Sequence, residues 1–249
     1  MGTDKDWEKW GATEPYFGVL SNVKYRRNKL NQLARNAFFE SGENHVIRVF
    51  KAIRDNFDPQ FSPRSVLDFG CGVGRLIIPF ARHADKVVGV DVSTSMLSEA
   101  KRNCELTELA KKITLAQSGD PSCIESQFDL VHSFIVLQHI PWQRGRQILQ
   151  ALSGLVSKNG YLAVHIFTSC NTHPIVRLLV RLRYCFPPAN WVRNIMSGRH
   201  IFEPAMQLHV YDMDTIMHDL EVGRFGKILC LDEPTGCEFD SIFLFAQRI

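Results

Sequence analysis

The residues best placed to do chemistry fall in one short stretch, Asp68-Phe69-Gly70-Cys71-Gly72-Val73-Gly74-Arg75. Three glycines at alternate positions, behind the apolar run Val66 to Phe69, describe a strand that turns sharply into a helix. With no side chains there, a ligand can lie against backbone N–H groups. The spacing is G-x-G-x-G. A dinucleotide-binding turn needs G-x-G-x-x-G, which would place a glycine where Arg75 stands, and a P-loop needs a Gly-Lys-Ser/Thr that does not follow. A second apolar run, Val87 to Val90, ends in Asp91, about 20 residues after the turn. A carboxylate at such a strand end can accept hydrogen bonds from two ribose hydroxyls. Together the turn and the acid describe a nucleoside site at the C-terminal edge of a parallel sheet.

Other groups carry weaker signals. His139, in Leu137-Gln138-His139-Ile140-Pro141, follows the fourth strand at that same edge. It is a candidate base or substrate contact; the competing reading is a structural histidine bonding a loop carbonyl. His165 lies within a strand and reads as core. Cys71 has no fixed basic neighbour in the sequence and reads as a small packed residue. The seven cysteines show neither CxxC pairs nor zinc spacing, which points to a reducing compartment, and no metal site is expected. Phe186-Pro187-Pro188 lacks the leading Asp or Asn of amino-methylating enzymes and is set aside. Arg177, Arg181 and Arg183 read as the solvated face of an amphipathic helix, against binding of an acidic substrate, a membrane surface or another subunit.

The elements that must hold these groups alternate. Strands are expected at 66–69, 87–91, 113–116, 128–134 and 160–167, with helices between them, one opening at Ser93 as N-cap and carrying Met96, Leu97 and Ala100. Such alternation implies an α/β fold, doubly wound around a mostly parallel sheet. Ahead of it, an aromatic N-terminal arm over 7–28 leads to a helix from Lys29 to Glu40, with Leu30, Leu33, Ala37 and Phe38 inward. Ser41-Gly42 is expected to break it before a second helix to Asn56, with Val46, Ile47, Val49, Phe50 and Ile53 inward. After the fifth strand, residues 168–210 interrupt the pattern as an insertion. A helix from Asp212 to Glu221 and an antiparallel terminal hairpin, Lys227–Leu231 with Ser241–Gln247, close one edge. The whole is read as a single domain: arm 1–60, cofactor core 61–167, insertion or lid 168–210, terminal helix and hairpin 211–249.

Four stretches resemble the class I S-adenosylmethionine (SAM)-dependent methyltransferases: Val66 to Gly74, Val88-Gly89-Val90-Asp91-Val92-Ser93, Phe128-Asp129-Leu130-Val131 and Leu155 to Leu162. The resemblance covers residues 64–167. It implies that Gly70, Gly72 and Gly74 wrap the cofactor's amino-acid part, with Asp68 and Arg75 beside them. Asp91 would hold the ribose, Val92 and Met96 would flank the adenine, Asp120 would sit near the adenine amine, and Phe134 would line the methionine part. Asn159-Gly160 departs from the usual glycine pair at a turn, and the Gly119-Asp120-Pro121-Ser122 loop is less typical. The arm, with Trp10-Gly11, Pro15-Tyr16-Phe17-Gly18 and Tyr25-Arg26, resembles arms of bacterial small-molecule methyltransferases that close over the cofactor, which brings Tyr16 into the expected shell. The cofactor implied is SAM, with S-adenosylhomocysteine (SAH) as product, and the reaction is methyl transfer to an O, N or C nucleophile. Trp10, Tyr16, Phe17 and Tyr25 from the arm and Tyr184, Phe186, Trp191 and Phe202 from the insertion are expected to close the acceptor pocket.

Composition bounds the remaining classes. A net charge of +3 with 22% charged residues offers no basic stripe for nucleic acid, so the partner expected is a small-molecule acceptor; a homodimer is compatible. Met1 to Trp10 lacks the apolar core of a signal peptide, and no run reaches the roughly 20 apolar residues of a membrane span, so a cytoplasmic protein is expected. Two alternatives stay open: a non-catalytic SAM-binding protein, and a nicotinamide-dependent oxidoreductase, which Arg75 disfavours.

Overall fold

The computed structural model describes residues 3–119, 121, 124, 126–173, 175–176, 180, 186–235 and 238–249. Helices α1 (Thr3–Thr13), α2 (Pro15–Val19) and α3 (Gln32–Asn56) precede strand β1 (Ser65–Phe69). Then follow α4 (Ile77–His83), β2 (Lys86–Asp91), α5 (Thr94–Glu105), β3 (Ile113–Gln117), β4 (Phe128–Ser133), α6 (Trp142–Gly154) and β5 (Val156–Cys170). The chain ends with α7 (Pro187–Met196), α8 (Met213–Val222), β6 (Phe225–Asp232) and β7 (Phe239–Arg248). One seven-stranded sheet runs in the order β3-β2-β1-β4-β5-β7-β6. Strands β1 to β5 pair in parallel, while β7 lies antiparallel to both β5 and β6.

Alternate residues of each central strand feed opposite faces, because successive side chains point to opposite sides of a sheet. Val66, Val87 and Leu130 pack against α3 and α4, while Leu67, Val88 and Val131 pack against α6 and α8. A sheet covered on both faces explains why its strands read as nearly continuous apolar runs. Side-chain caps start the helices where the sequence offers them: Asn31 Oδ1 accepts from Ala34 N, Ser93 Oγ from Met96 N and Asp212 Oδ2 from Thr215 N.

Two expectations about the N-terminal helices are corrected. Ser41-Gly42 does not break the helix; α3 is continuous. Gly42 is buried, and a Cβ there would stand 2.2 Å from the Arg75 carbonyl oxygen, so the glycine allows α3 to lie close against the turn after β1. The Ser41 hydroxyl stays within the helix, donating to the Phe38 carbonyl. Leu33 and Ile47 are exposed, and Ala34 and Phe38 turn inward, because the continuous helix keeps one phase over its length. Strand β5 also runs beyond the expected 160–167, passing through Asn159 at φ +62°.

Candidate active site

The turn after β1 is fastened to β2 before any ligand is considered. The N–H groups of Gly70 and Cys71 both donate to the Val90 carbonyl, at 2.7 and 3.0 Å. Gly70, Gly72 and Gly74 take φ values of +79°, +52° and +92°, which L side chains rarely adopt. A Cβ on Gly70 would meet Val136 at 2.2 Å and one on Gly72 would meet Val19 at 2.6 Å. Gly74 instead faces α5 at Ala100. Asp91, at the end of β2, is fixed by the turn itself: Gly72 N–H donates to its Oδ2 and Ser93 N–H to its Oδ1, both at 2.9 Å. Burial pushes the Asp91 carboxyl up to about 6, against the hydrogen bonds from Ser93 and Gly72.

These groups floor a narrow cavity with about 90 Å³ of free space. Of the residues singled out from the sequence, Gly70, Gly72, Asp91, Val92, Met96, Phe134 and His139 line it. Ile135 lines it too, at φ +61°, a strained setting for a β-branched residue. That strain lies between Phe134 and Val136, both on the cavity wall, and nothing in the sequence marks it.

The roof comes from the arm. Thr3, Asp4 and Trp7 of α1, and Gly18 and Val19 of α2, close the cavity from above. Arg144 of α6 donates to both Asp4 carboxylate oxygens, at 2.6 and 3.0 Å, and to the Gly119 carbonyl. Glu8 accepts from the Ser93 hydroxyl at 2.7 Å and the Ser95 hydroxyl at 2.5 Å. Burial raises the Glu8 carboxyl, but the hydrogen bonds from Ser95 and Ser93 outweigh it, leaving the group below its ordinary value. The packing is close: a Cβ on Gly11 would stand 2.4 Å from Ser93 Oγ.

His139 sits under this roof. Its Nδ1 lies 2.8 Å from the Gln207 carbonyl, which can only accept, so Nδ1 carries the proton and Nε2 is left with a lone pair. The Trp7 ring meets it edge-on at 4.8 Å. Burial lowers its imidazolium to about 4, so the ring is neutral at pH 7. The carbonyl-bonded arrangement and the cavity position, set against each other as readings of the sequence, hold together.

Besides Gly74, four of the expected cofactor residues stand away from the cavity or from the described chain. Tyr16 is buried, its hydroxyl donating to Glu99 at 2.8 Å. Arg75 is buried under α3 and lies 3.5 Å from the Ser41 hydroxyl. Asp68 is buried, accepts from His132 Nδ1 at 2.7 Å and does not line the cavity. Asp120 lies outside the described residues, though its neighbours Ser118 and Gly119 line the wall. The aromatic lid is likewise corrected. Trp10, Tyr16, Phe17 and Tyr25 form their own buried cluster with Phe38, Val73 and Met96. Phe186, Trp191 and Phe202 face solvent, and Tyr184 lies outside the described residues. An apolar cluster of its own lets the arm fold as a unit, which leaves Trp7 as its aromatic contribution to the cavity among the described residues.

Beneath the turn runs a hydrogen-bonded relay. Arg48 can only donate, so His45 Nδ1, at 3.3 Å, accepts and His45 Nε2 carries the proton. That proton points to His132 Nε2 at 3.0 Å, and the His132 Nδ1 proton points to Asp68. Burial, then the neighbouring His132, hold His45 well below its ordinary value. The relay ties α3 to the strand that carries the turn.

Comparison with known proteins follows the same line. Residues 66–160 match the family model of a methyltransferase domain. The ubiquinone biosynthesis O-methyltransferase of Hydrogenovibrio crunogenus is 29% identical over 139 residues, 54% of this chain and 57% of that protein. The mitochondrial ubiquinone biosynthesis O-methyltransferase of Schizosaccharomyces pombe is 26% identical over 182 residues, 70% of this chain and 63% of that protein. The match thus spans about three fifths of the length of these relatives. Among solved structures, magnesium protoporphyrin IX methyltransferase from Synechocystis PCC 6803 with bound SAH aligns over 100% of both chains, with TM-score 0.63 and 18% identity. The N-methyltransferase NodS from Bradyrhizobium japonicum WM9, in complex with SAH, aligns over 98% of both chains with TM-score 0.56 and 14% identity. At these identities the structures establish a shared fold. The glycine turn and the acid-ended second strand both fall inside the matched segment, so residues 66–160 carry the part of the chain that is similar to a methyltransferase domain.

Proposed function

We propose that this protein transfers the methyl group of SAM to a nucleophile of a small-molecule acceptor. The observation that carries this reading is the convergence of Gly70, Gly72, Asp91 and His139 on one roofed cavity. The residues fit the cofactor: a carboxylate with lone pairs to spare, an apolar wall at Val92 and Met96, and a glycine floor that a Cβ would obstruct. Asp91 would accept from the ribose hydroxyls, Val92 and Met96 would flank the adenine, and Gly70, Gly72 and Phe134 would face the methionine part. Bound SAM supplies an electrophilic methyl on a sulfonium.

The chain's own residues then position and shield. Trp7, Val19 and the Asp4–Arg144 bridge exclude water from the cavity, and holding the reactants in line in a dry site supplies much of the acceleration. A neutral His139 can accept a hydrogen bond from the acceptor's X–H group at Nε2. With its imidazolium near 4 it is a weak base, so it orients and polarises that group more than it removes the proton. A shallow hollow lined by Asp6, Trp7, Trp10, His139, Met206 and Gln207 adjoins the roof and marks the side on which the roof would open to admit an acceptor. The sequence relatives are named for O-methylation, which favours an oxygen nucleophile.

No helix among the described residues is long and apolar enough to cross a membrane. We read the protein as acting in the cytoplasm on a small molecule, without nucleic acid; a homodimer is compatible with this reading. Calorimetry with SAM, SAH and NAD, followed by a methyl-transfer screen on small hydroxylated and amine acceptors, tests it. Binding of SAM and SAH without NAD, with turnover of an acceptor, is the expected result. Tight NAD binding without SAM binding would refute it, and SAM binding without turnover of any acceptor would leave a non-catalytic SAM-binding protein.

A further inference from the structure

Helix α7 is packed with its polar side inward. Asn190 and Asn194, one turn apart, are buried, and both side-chain amides donate to the Glu203 carbonyl at 2.9 Å. The apolar side chains stand outside: Trp191 is 40%, Val192 56%, Ile195 59% and Met196 83% exposed. A helix on the surface of a soluble protein has the reverse arrangement, so this outer face is built to be covered. Phe202, on the loop after α7, extends the patch, its ring edge-on to Trp191 at 5.6 Å.

The charge around the patch is predominantly positive. Residues 130–202 contain no Asp or Glu, whereas Arg193 and Arg199 come from α7 and its loop. The groove between that loop and the arm is lined by Lys9, Lys29 and Arg199. Its two carboxylates, Glu14 and Glu203, both lie within ion-pair distance of Arg26, at 3.7 and 2.5 Å, and Glu203 also reaches Arg199 at 3.6 Å, so Lys9, Lys29 and Arg193 carry the excess positive charge. An apolar face ringed by cations matches the boundary between acyl chains and anionic headgroups, where the apolar side chains sink and the cations meet phosphates. A second copy of the chain would bring the same cations face to face, which argues against self-association. With 10 residues, α7 is too short to span a bilayer but long enough to lie in its surface.

We propose that the outer face of α7 and Phe202 seats this protein on an anionic lipid bilayer, with α7 in the plane of the membrane. The loop after α7 continues into Ala205, Met206 and Gln207, which line the hollow shared with Trp7 and His139. The seated face therefore continues in the chain to the side of the roof where His139 lies. The docking itself does not depend on methyl transfer.

Vesicle flotation of the full chain tests the proposal, with phosphatidylcholine alone compared with an equal mixture of phosphatidylcholine and phosphatidylglycerol. The wild type is expected to float with the mixed vesicles at low salt and much less with the neutral ones. Binding should weaken at about 1 M salt, where charges are screened beyond about 3 Å. Arg193→Gln with Arg199→Gln should lower affinity for the mixed vesicles about thirtyfold, since each cation near the surface counts about equally. Trp191→Ser with Ile195→Ser should lower it on both vesicle types; circular dichroism checks the fold, and if that variant unfolds, the arginine pair decides alone. A wild type that floats with neither vesicle, or variants that float like the wild type, would overturn the proposal. So would a dimer that these substitutions dissociate without any vesicle binding, because the face would then belong to a second copy.

Discussion

The floor and the roof of the cavity are built by different means. The floor runs through Gly70, Gly72, Asp91, Val92 and Met96, and its hydrogen bonds are mostly backbone N–H groups closing on neighbours in the same two strands. The roof is held by side chains far apart in sequence: Asp4 with Arg144, Glu8 with Ser93 and Ser95, and Arg26 with Glu203. A floor made of backbone geometry tolerates little change at its glycines. A roof of partly exposed ion pairs and aromatic packing can open and re-form, as entry and exit of ligands require.

The largest effect is expected from Gly72→Val. A β-branched residue at φ +52°, with its Cβ 2.6 Å from Val19, would strain the turn and push against the roof at once. SAM affinity should fall by about 3 kcal/mol or more, the combined scale of such strain and a lost backbone approach. Calorimetry that found normal affinity in a folded variant would remove the floor from the cofactor site. Asp91→Ala should come next, costing about 1.5–3 kcal/mol of SAM affinity, the scale of hydrogen bonds to a charged group. Unchanged binding would show that the carboxylate does not hold the ribose.

The third test uses pH. The folded Asp91 carboxyl titrates near 6, above its ordinary 3.8. Its contribution to the stability of the free protein is therefore fully present below 3.8 and lost as pH rises through about 6. Ribose hydroxyls donate to the ionised form, so binding should favour deprotonation. SAM affinity should be highest above pH 6 and weaken below it, by at most about tenfold per unit. Asp91→Asn should flatten that dependence, and a wild-type profile already flat between pH 5 and 7 would contradict the assignment.

The smallest effect should come from the roof. Asp4 and Arg144 are 45% and 38% exposed in their side chains, so a double-mutant cycle with Asp4→Ala and Arg144→Ala should give a coupling of only about 0.2–1 kcal/mol in stability. Hydrogen exchange in 3–13 should nonetheless quicken in either single variant and slow on SAH addition. Identical exchange in all states would show that the arm is no lid.

How much of this was legible in the sequence divides along the same line. The α/β class, the parallel strands and the terminal hairpin followed from apolar runs and caps, because local periodicity reports which faces are buried. The continuity of α3 did not follow: Gly42 looks like a breaker until the Arg75 carbonyl is seen against it. The arm was read as closing over the cofactor, and it does roof the cavity through Trp7, Gly18 and Val19, whereas Trp10, Tyr16, Phe17 and Tyr25 pack among themselves. Asp68 looked like a cofactor contact, yet its partner is His132, a strand away. Composition cannot say which of several apolar surfaces an aromatic side chain will choose.

By itself the sequence determined the turn and the acid, since G-x-G-x-G needs positive φ and Asp91 is carried to the same edge by the next strand. The arm was expected over them, but tertiary structure alone decided which of its side chains, and which from other elements, cover them. Arg144, Trp7 and Ile135 carry no signature of their own and acquire a role only when α6, α1 and the end of β4 meet over the cavity. The physical reason is range: the conformation of a glycine turn is written in its own residues, whereas a roof depends on contacts between residues such as Asp4 and Arg144, which no local pattern records.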